Sequence, residues 1–223
     1  MKKKILILIS ALFLLFISLN AYAGLLGTYY NHFYEHPDME VWNGGVGMVE
    51  STLTGSAPTM NASSDFYQFD WWDSQYYAFQ RVDSDADLQN NFADSWFPVT
   101  GYSGTNEPHY FAVHWEGEFY VDEDKSYTYS MGSDDDAWLF IDNQLVLDLG
   151  GVHALTHDDY TINLTKGYHD IDIFFAERHT VQSAFQLNFF SDLEPSSVPE
   201  PATMLLLGTG LISLAGLRRK LKK

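Results

Sequence analysis

The chain of 223 residues contains no cysteine. That excludes a disulfide framework, a thiolate nucleophile and any cysteine-ligated zinc site. Positive charge is almost as scarce where a fold would form. Of the 12 Lys and Arg, Lys2, Lys3 and Lys4 stand at one end, and Arg218, Arg219, Lys220, Lys222 and Lys223 at the other. Only Arg81, Lys125, Lys166 and Arg178 lie between them, together with all 30 Asp and Glu. So acidic a segment has no charge attraction for nucleic acid or anionic lipid, and it draws divalent cations. The centre also lacks any segment with the length and period of a major helix, and no internal repeat runs through it. It is not a disordered acidic tract, because aromatic residues make up 16% of the chain. The stretch between the basic ends is long enough for one all-β domain with its own core.

Both ends read as targeting devices. Residues 1–23 have the form of a secretory signal peptide: three lysines, an apolar run over 5–19, and Ala21-Tyr22-Ala23 as the cleavage site. The mature chain is then expected to start at Gly24. At the other end, residues 193–201 form a linker that closes on Val198-Pro199-Glu200-Pro201, which cannot continue a strand. Residues 202–217 are uncharged and apolar, an expected single helix somewhat shorter than a relaxed membrane span of about 20 residues. The basic tail 218–223 would stay on the cytoplasmic side. Pro199-Glu200-Pro201, an apolar helix, and then Arg218 and Arg219 closely resemble the PEP-CTERM sorting signal. That resemblance implies a Gram-negative cell, an exosortase-type sorting enzyme as partner, transient residence in the inner membrane through 202–217, and association with extracellular polysaccharide.

Between the ends, short strand patterns succeed one another. Gly24–Asn31 is Gly-punctuated and aromatic, and the region 35–65 reads as loop. The segment 66–79 is dense in aromatics, most of them expected in the core, with Trp71 or Trp72 the expected exception, free to stack on a sugar ring. Val113 and Trp115, then Phe119 and Val121, read as a strand pair turning at Gly117. Further strands are expected over 126–131, 137–141, 144–149, 160–164, 168–176 and 183–190. In the strand over 168–176, Ile171, Ile173 and Phe175 face one way and Asp170 and Asp172 the other. Many short strands with Gly-containing turns point to an antiparallel sandwich or barrel.

The most informative stretch is Gly132–Gly151. Asp134-Asp135-Asp136 separates two strand patterns, and Asp142-Asn143 separates the second from a third, which reads as a hairpin. Three adjacent carboxylates repel unless water or a cation spreads their charge. Asp136 is expected to point outward or cap the hairpin. His153 and His157 raise a zinc alternative, but they fall in a loop without a further His pair. No Ser-His-Asp or phosphate-loop signature is present, so no catalytic residues are expected. A glycoside hydrolase remains the weakest alternative, since any chain this acidic offers a carboxylate pair.

Gly24-Leu25-Leu26-Gly27-Thr28-Tyr29-Tyr30-Asn31, the run Val113–Val121 and the run Tyr127–Asp142 resemble the opening, central strands and signature of PA14 domains. Leu145–His153 and Ala176–Thr180 narrow the resemblance to the fibro-slime branch, over residues 24–192. It implies an all-β, PA14-type antiparallel sandwich or barrel that binds carbohydrate or serves adhesion. It also implies that Asp134 and Asp135 hold a Ca2+ ion that grips sugar hydroxyls. The family's second loop normally supplies an Asn. The corresponding 177–183 has none, so Glu177 is expected as the further metal ligand, with His179 and Thr180 contacting sugar. His153 and Arg178, with Glu177, are expected to form a hydrogen-bonded network fixing the Gly150-Gly151 turn. Two functional expectations follow. One is an exported, calcium-assisted binder of extracellular polysaccharide, at the cell surface or in a biofilm matrix. The other is a structural matrix protein that keeps the fold without binding sugar.

Overall fold

The central strands of the larger sheet bury both faces, one against a second sheet and one under the preceding segments. The computed structural model describes residues 24–32, 36–42, 44–62, 68–84, 87–92, 96–99, 110–179 and 182–188. The segments expected as signal peptide, linker, apolar helix and basic tail lie outside the described residues. Among those described, no helix is long and apolar enough to cross a membrane.

Among the described residues, nine strands form two antiparallel sheets. They are β1 (Leu25–Asn31), β2 (Tyr77–Asp83), β3 (Phe111–Val121), β4 (Lys125–Asp134), β5 (Asp136–Ile141), β6 (Gln144–Leu149), β7 (Thr156–Leu164), β8 (Gly167–Glu177) and β9 (Ala184–Asn188). Six are ordered β2-β1-β3-β8-β5-β6, and the other three β7-β4-β9. The chain crosses from the small sheet to the large one at Asp134-Asp135-Asp136, where β4 ends and β5 begins.

Between the sheets lies the main core. Val113, Trp115 and Phe119 of β3, Tyr127, Tyr129 and Met131 of β4, Ile171, Ile173 and Phe175 of β8, and Phe185 and Leu187 of β9 meet there. Burial of this much aromatic and branched surface drives the sandwich together. A second core covers the outer face of the large sheet. Ala112, Trp138, Phe140, Phe174 and Ala176 from its strands meet Met39, Met48, Val49, Leu53, Trp71 and Trp72 from the preceding segments. The stretch read as loop thus roofs one end of the sheet.

Three expectations change. The run around Gly117 is one continuous strand, paired with β8 along its whole length. Glycine stands there because a Cβ would come within 2.6 Å of Leu25 Cδ2, not because the chain turns. Trp71 and Trp72 are both buried, with Trp71 Nε1 donating to Asp38 at 3.1 Å and Trp72 Nε1 to the Val113 carbonyl at 3.2 Å. Neither offers a face to a ligand. β7 begins at Thr156, so His157 lies in a strand. On β8 the outward alternation holds for Asp170 and Asp172, but Phe174 on the same face is buried under Trp72, ring centroids 5.2 Å apart.

Candidate functional site

The sheet crossover does not project three carboxylates into water. Asp134, Asp135 and Asp136 are all buried. The Asp134–Asp135 peptide bond is cis. The side chains then take different surroundings. Asp136, expected at the surface or on the hairpin, is instead wholly buried and paired with Arg178. Arg178 Nε donates to its Oδ2 at 2.6 Å and Nη2 to its Oδ1 at 3.2 Å. Oδ1 also accepts the Gly151 N–H. A charge with no exposed surface needs such a partner, and the guanidinium fork supplies it with two parallel bonds. Arg178 goes on to donate from Nη1 to the Val41 carbonyl at 2.9 Å, and its guanidinium carbon lies 5.3 Å from the Trp71 ring centre.

Asp135 is held by backbone. His153 N–H donates to Oδ1 at 2.8 Å and Arg178 N–H to Oδ2 at 3.1 Å. His153 itself faces away, its Nε2 2.9 Å from the Leu149 carbonyl. The β6–β7 loop and the segment after β8 are therefore tied to consecutive aspartates, and the Val41 segment is tied to them through Arg178. Gly151, at φ 117°, passes so near Gly45 that a Cβ on it would lie 3.1 Å from the Gly45 Cα, which fastens the 44–48 loop as well. His153 and Arg178 thus sit in a network around the Gly150-Gly151 turn. Its hub is Asp136, and Glu177 stands outside it.

Glu177, the last residue of β8, is wholly buried. Ser183 is nearby, yet among the described residues neither carboxylate oxygen makes a hydrogen bond of sound geometry. Ligand oxygens of Asp134, Asp135 and Glu177 all lie within 4.8 Å of one another. The electrostatic consequence is large. Burial, then the charges of Asp135 and Asp134, push the Glu177 carboxyl up to about 11. Burial, then the Asp136 charge, push Asp135 up to about 7 against its two backbone bonds. A cluster of three buried carboxyls, two with raised values, disfavours the uncompensated carboxylate anions and has the donor set of a hard cation site.

Of the remaining expected residues, His179 lies two positions beyond Glu177 with its ring against Trp42, centroids 4.4 Å apart, and Thr180 lies outside the described residues. His157 of β7 bonds Gln186 Oε1 of β9 at 2.8 Å across the small sheet, apart from His153. A second group, His114, Glu116 and Asp172, lies on the outer face of the large sheet, with His114 Nε2 2.7 Å from Asp172 Oδ1. Sequence reasoning missed the Asp136–Arg178 pair and Trp42. The rarity of arginine in so acidic a segment was the available signal for the first.

Residues 197–220 match the PEP-CTERM protein-sorting motif, so the chain carries a signal for export and surface sorting. The chain is similar to the psi proteins of Dictyostelium discoideum. It is 44% identical to psiE over 63 residues, which are 26% of this chain and 13% of psiE. It is 34% identical to psiD over 118 residues, 45% of this chain and 22% of psiD. The chain therefore spans a minor part of the length of these curated relatives. Among solved structures it is similar to the epithelial adhesin 9 A domain of Candida glabrata, solved in complex with Galβ1-3GlcNAc. That likeness has 14% identity and a TM-score of 0.45, and it covers 80% of this chain and 84% of that one. It is also similar to the PA14 domain of the MpAFP antifreeze protein, at 15% identity and a TM-score of 0.41, covering 78% of this chain and 87% of that one. A GH31 α-xylosidase from Xanthomonas citri is similar at 14% identity and a TM-score of 0.40, over 74% of this chain and 14% of that one. The PA14 domain model matches residues 22–201, and by that match the chain belongs to the PA14 domain family.

Proposed function

We propose that this protein is an exported, surface-sorted glycan-binding module in which Asp134, Asp135 and Glu177 hold a Ca2+ ion. The observation that carries the reading is the buried carboxylate of Glu177, which has no hydrogen-bond partner among the described residues and lies against two more carboxylates. Removing a carboxylate from water without a partner costs several kcal/mol, roughly, and a divalent cation offsets that cost directly. Ca2+ accepts 6–8 oxygens at about 2.3–2.6 Å in flexible geometry, so three carboxylates leave positions for carbonyls, water or a ligand. Vicinal hydroxyls of a sugar replace two such waters without changing the ion's preference for oxygen. The network behind the site keeps its loops in place: Arg178 and Asp136 neutralise each other, and backbone N–H groups orient Asp135.

PA14 membership and the sorting motif support the same reading, an extracellular module that meets polysaccharide of the matrix or biofilm after an exosortase-type enzyme has processed the chain. A glycan array probed with the full-length protein, with calcium and again with EDTA, tests it. The expected result is binding that EDTA abolishes. An empty array in calcium, with the protein folded, would leave the structural matrix role in its place.

A further inference from the structure

We propose that Trp42, supported from behind by His179, is the stacking platform on which a pyranose ring lies when its hydroxyls meet the carboxylate cluster. The proposal rests on the glycan reading above and names the part of that site which takes the apolar face of the sugar.

Trp42 is 75% exposed, the most exposed aromatic side chain among the described residues. An indole left in water forgoes one of the largest burial gains any side chain offers, and its surroundings do not leave it loose. One face packs against the His179 ring, centroids 4.4 Å apart and planes 37° apart. Its backbone is fastened too, since the Val41 carbonyl accepts from Arg178 Nη1 at 2.9 Å. Five residues on, Gly47 N–H donates to Asp148 Oδ2 at 2.8 Å. An exposed aromatic ring on a restrained loop with a packed back loses little conformational freedom when something covers its front.

Its place relative to the carboxylates is fixed by the same residues. Arg178 holds Val41 through its guanidinium and Asp135 through its backbone N–H. Glu177 precedes Arg178, and His179 follows it. Trp42 therefore follows the residue whose carbonyl Arg178 holds, and its ring packs on His179, two positions beyond Glu177. A pyranose has two chemistries, a ring of hydroxyls and a face of C–H bonds. The electron-rich indole face suits the C–H bonds, and an ion held by carboxylates suits the hydroxyls. The pairing favours a neutral hexopyranose with an unbroken C–H face. A densely anionic glycan would face a segment whose acids far outnumber its four basic residues. The aromatics first expected to do this work, Trp71 and Trp72, are buried under the outer core, which leaves Trp42 as the tryptophan in position.

The test uses the full-length protein with Trp42→Ala and Trp42→Phe, read by three measurements. These are affinity for the best ligand of the wild-type array, calcium affinity by titration calorimetry, and thermal stability. Trp42→Ala is expected to weaken glycan binding roughly tenfold or more. Calcium affinity and melting temperature should stay at wild-type values, because the side chain is exposed and is no ligand. Trp42→Phe should recover part of the loss. Glycan binding by Trp42→Ala equal to wild type overturns this inference and leaves the calcium-dependent reading standing. Wild-type protein that binds no glycan with calcium present overturns both.

Discussion

Arg178 is the residue on which most of the site's geometry converges, and its removal should be costly in the absence of any ligand. Its guanidinium and the Asp136 carboxylate are both wholly buried. Truncating one member leaves an uncompensated charge inside the protein, a loss of about 3–5 kcal/mol. Arg178→Ala should therefore lower the melting temperature by on the order of 10 °C in a chain of this size. Differential scanning calorimetry in EDTA checks this, and an unchanged melt would remove Arg178 from its structural role. Glu177 should behave in the opposite way. Because burial holds its carboxyl up to about 11, the side chain is protonated at neutral pH without a cation. Glu177→Gln then replaces one neutral group by another of the same shape and should leave the melt in EDTA nearly unchanged. The same substitution should remove most of the calcium-induced rise in melting temperature, since an amide cannot supply the ligand charge. A wild-type calcium response in Glu177→Gln would rule that side chain out as a ligand.

At the level of elements, β1, β2 and β3 are fastened together by a buried polar node. The Asp83 carboxylate accepts from Tyr29 Oη at 2.5 Å, Trp115 Nε1 at 2.7 Å and Arg81 Nε at 2.6 Å. Gly27 makes room for it: a Cβ there would lie 2.7 Å from Asp83 Oδ2 and 2.9 Å from Trp115 Nε1. Gly27→Ala should destabilise by about 1–3 kcal/mol through overpacking. Gly55→Ala, where a Cβ meets nothing within 4 Å, is the matched control and should be neutral in urea titrations. Equal midpoints for the two variants would show that the node yields to the extra methyl. Such junctions also mark where the sequence stops being readable. The β5–β6 hairpin was legible because its signals are local: two apolar runs around Asp142-Asn143, which adopt φ 49° and 63° as a tight turn requires. The inner face of β8 was legible from alternation. β2 was not, because it is an edge strand in which the polar Gln80 and Arg81 interrupt the apolar pattern. Gly117 misled because a glycine that admits Leu25 looks in sequence like one that turns the chain. The acidic run marked the loop and the PA14 resemblance singled out Asp134 and Asp135, but nothing local could show that Asp136 pairs with an arginine 42 residues away.

On the scale of the whole molecule, the buried carboxylates tie folding to pH, and under the proposed calcium site they would tie it to calcium with the opposite sign. Asp135 and Glu177 have folded values raised to about 7 and about 11, against ordinary values of 3.8 and 4.5. A carboxyl raised on folding holds its proton more tightly in the folded state than in the unfolded one, so stability falls as pH rises past the unfolded value. For Asp135 that loss spans about pH 4 to 7, and for Glu177 it continues above neutrality. His169 acts in the same direction. Burial pushes it down, but the Thr165 carbonyl and the Asp142 carboxylate raise it on balance, so its contribution is present at low pH and lost as pH rises. The protein in EDTA should thus melt lower at pH 8 than at pH 5, by on the order of 10 °C if the Asp135 shift is fully expressed. Calcium needs the same carboxyls ionised, so binding it releases protons and its affinity grows with pH. The calcium-induced rise in melting temperature should then be small at pH 5 and large at pH 8. Melting the full-length protein across that range, with EDTA and with saturating calcium, reads both curves at once. A calcium shift that does not change with pH would mean the ion sits elsewhere than on Asp135 and Glu177. A stability in EDTA that climbs from pH 5 to 8 would mean that other groups dominate the proton balance of the fold.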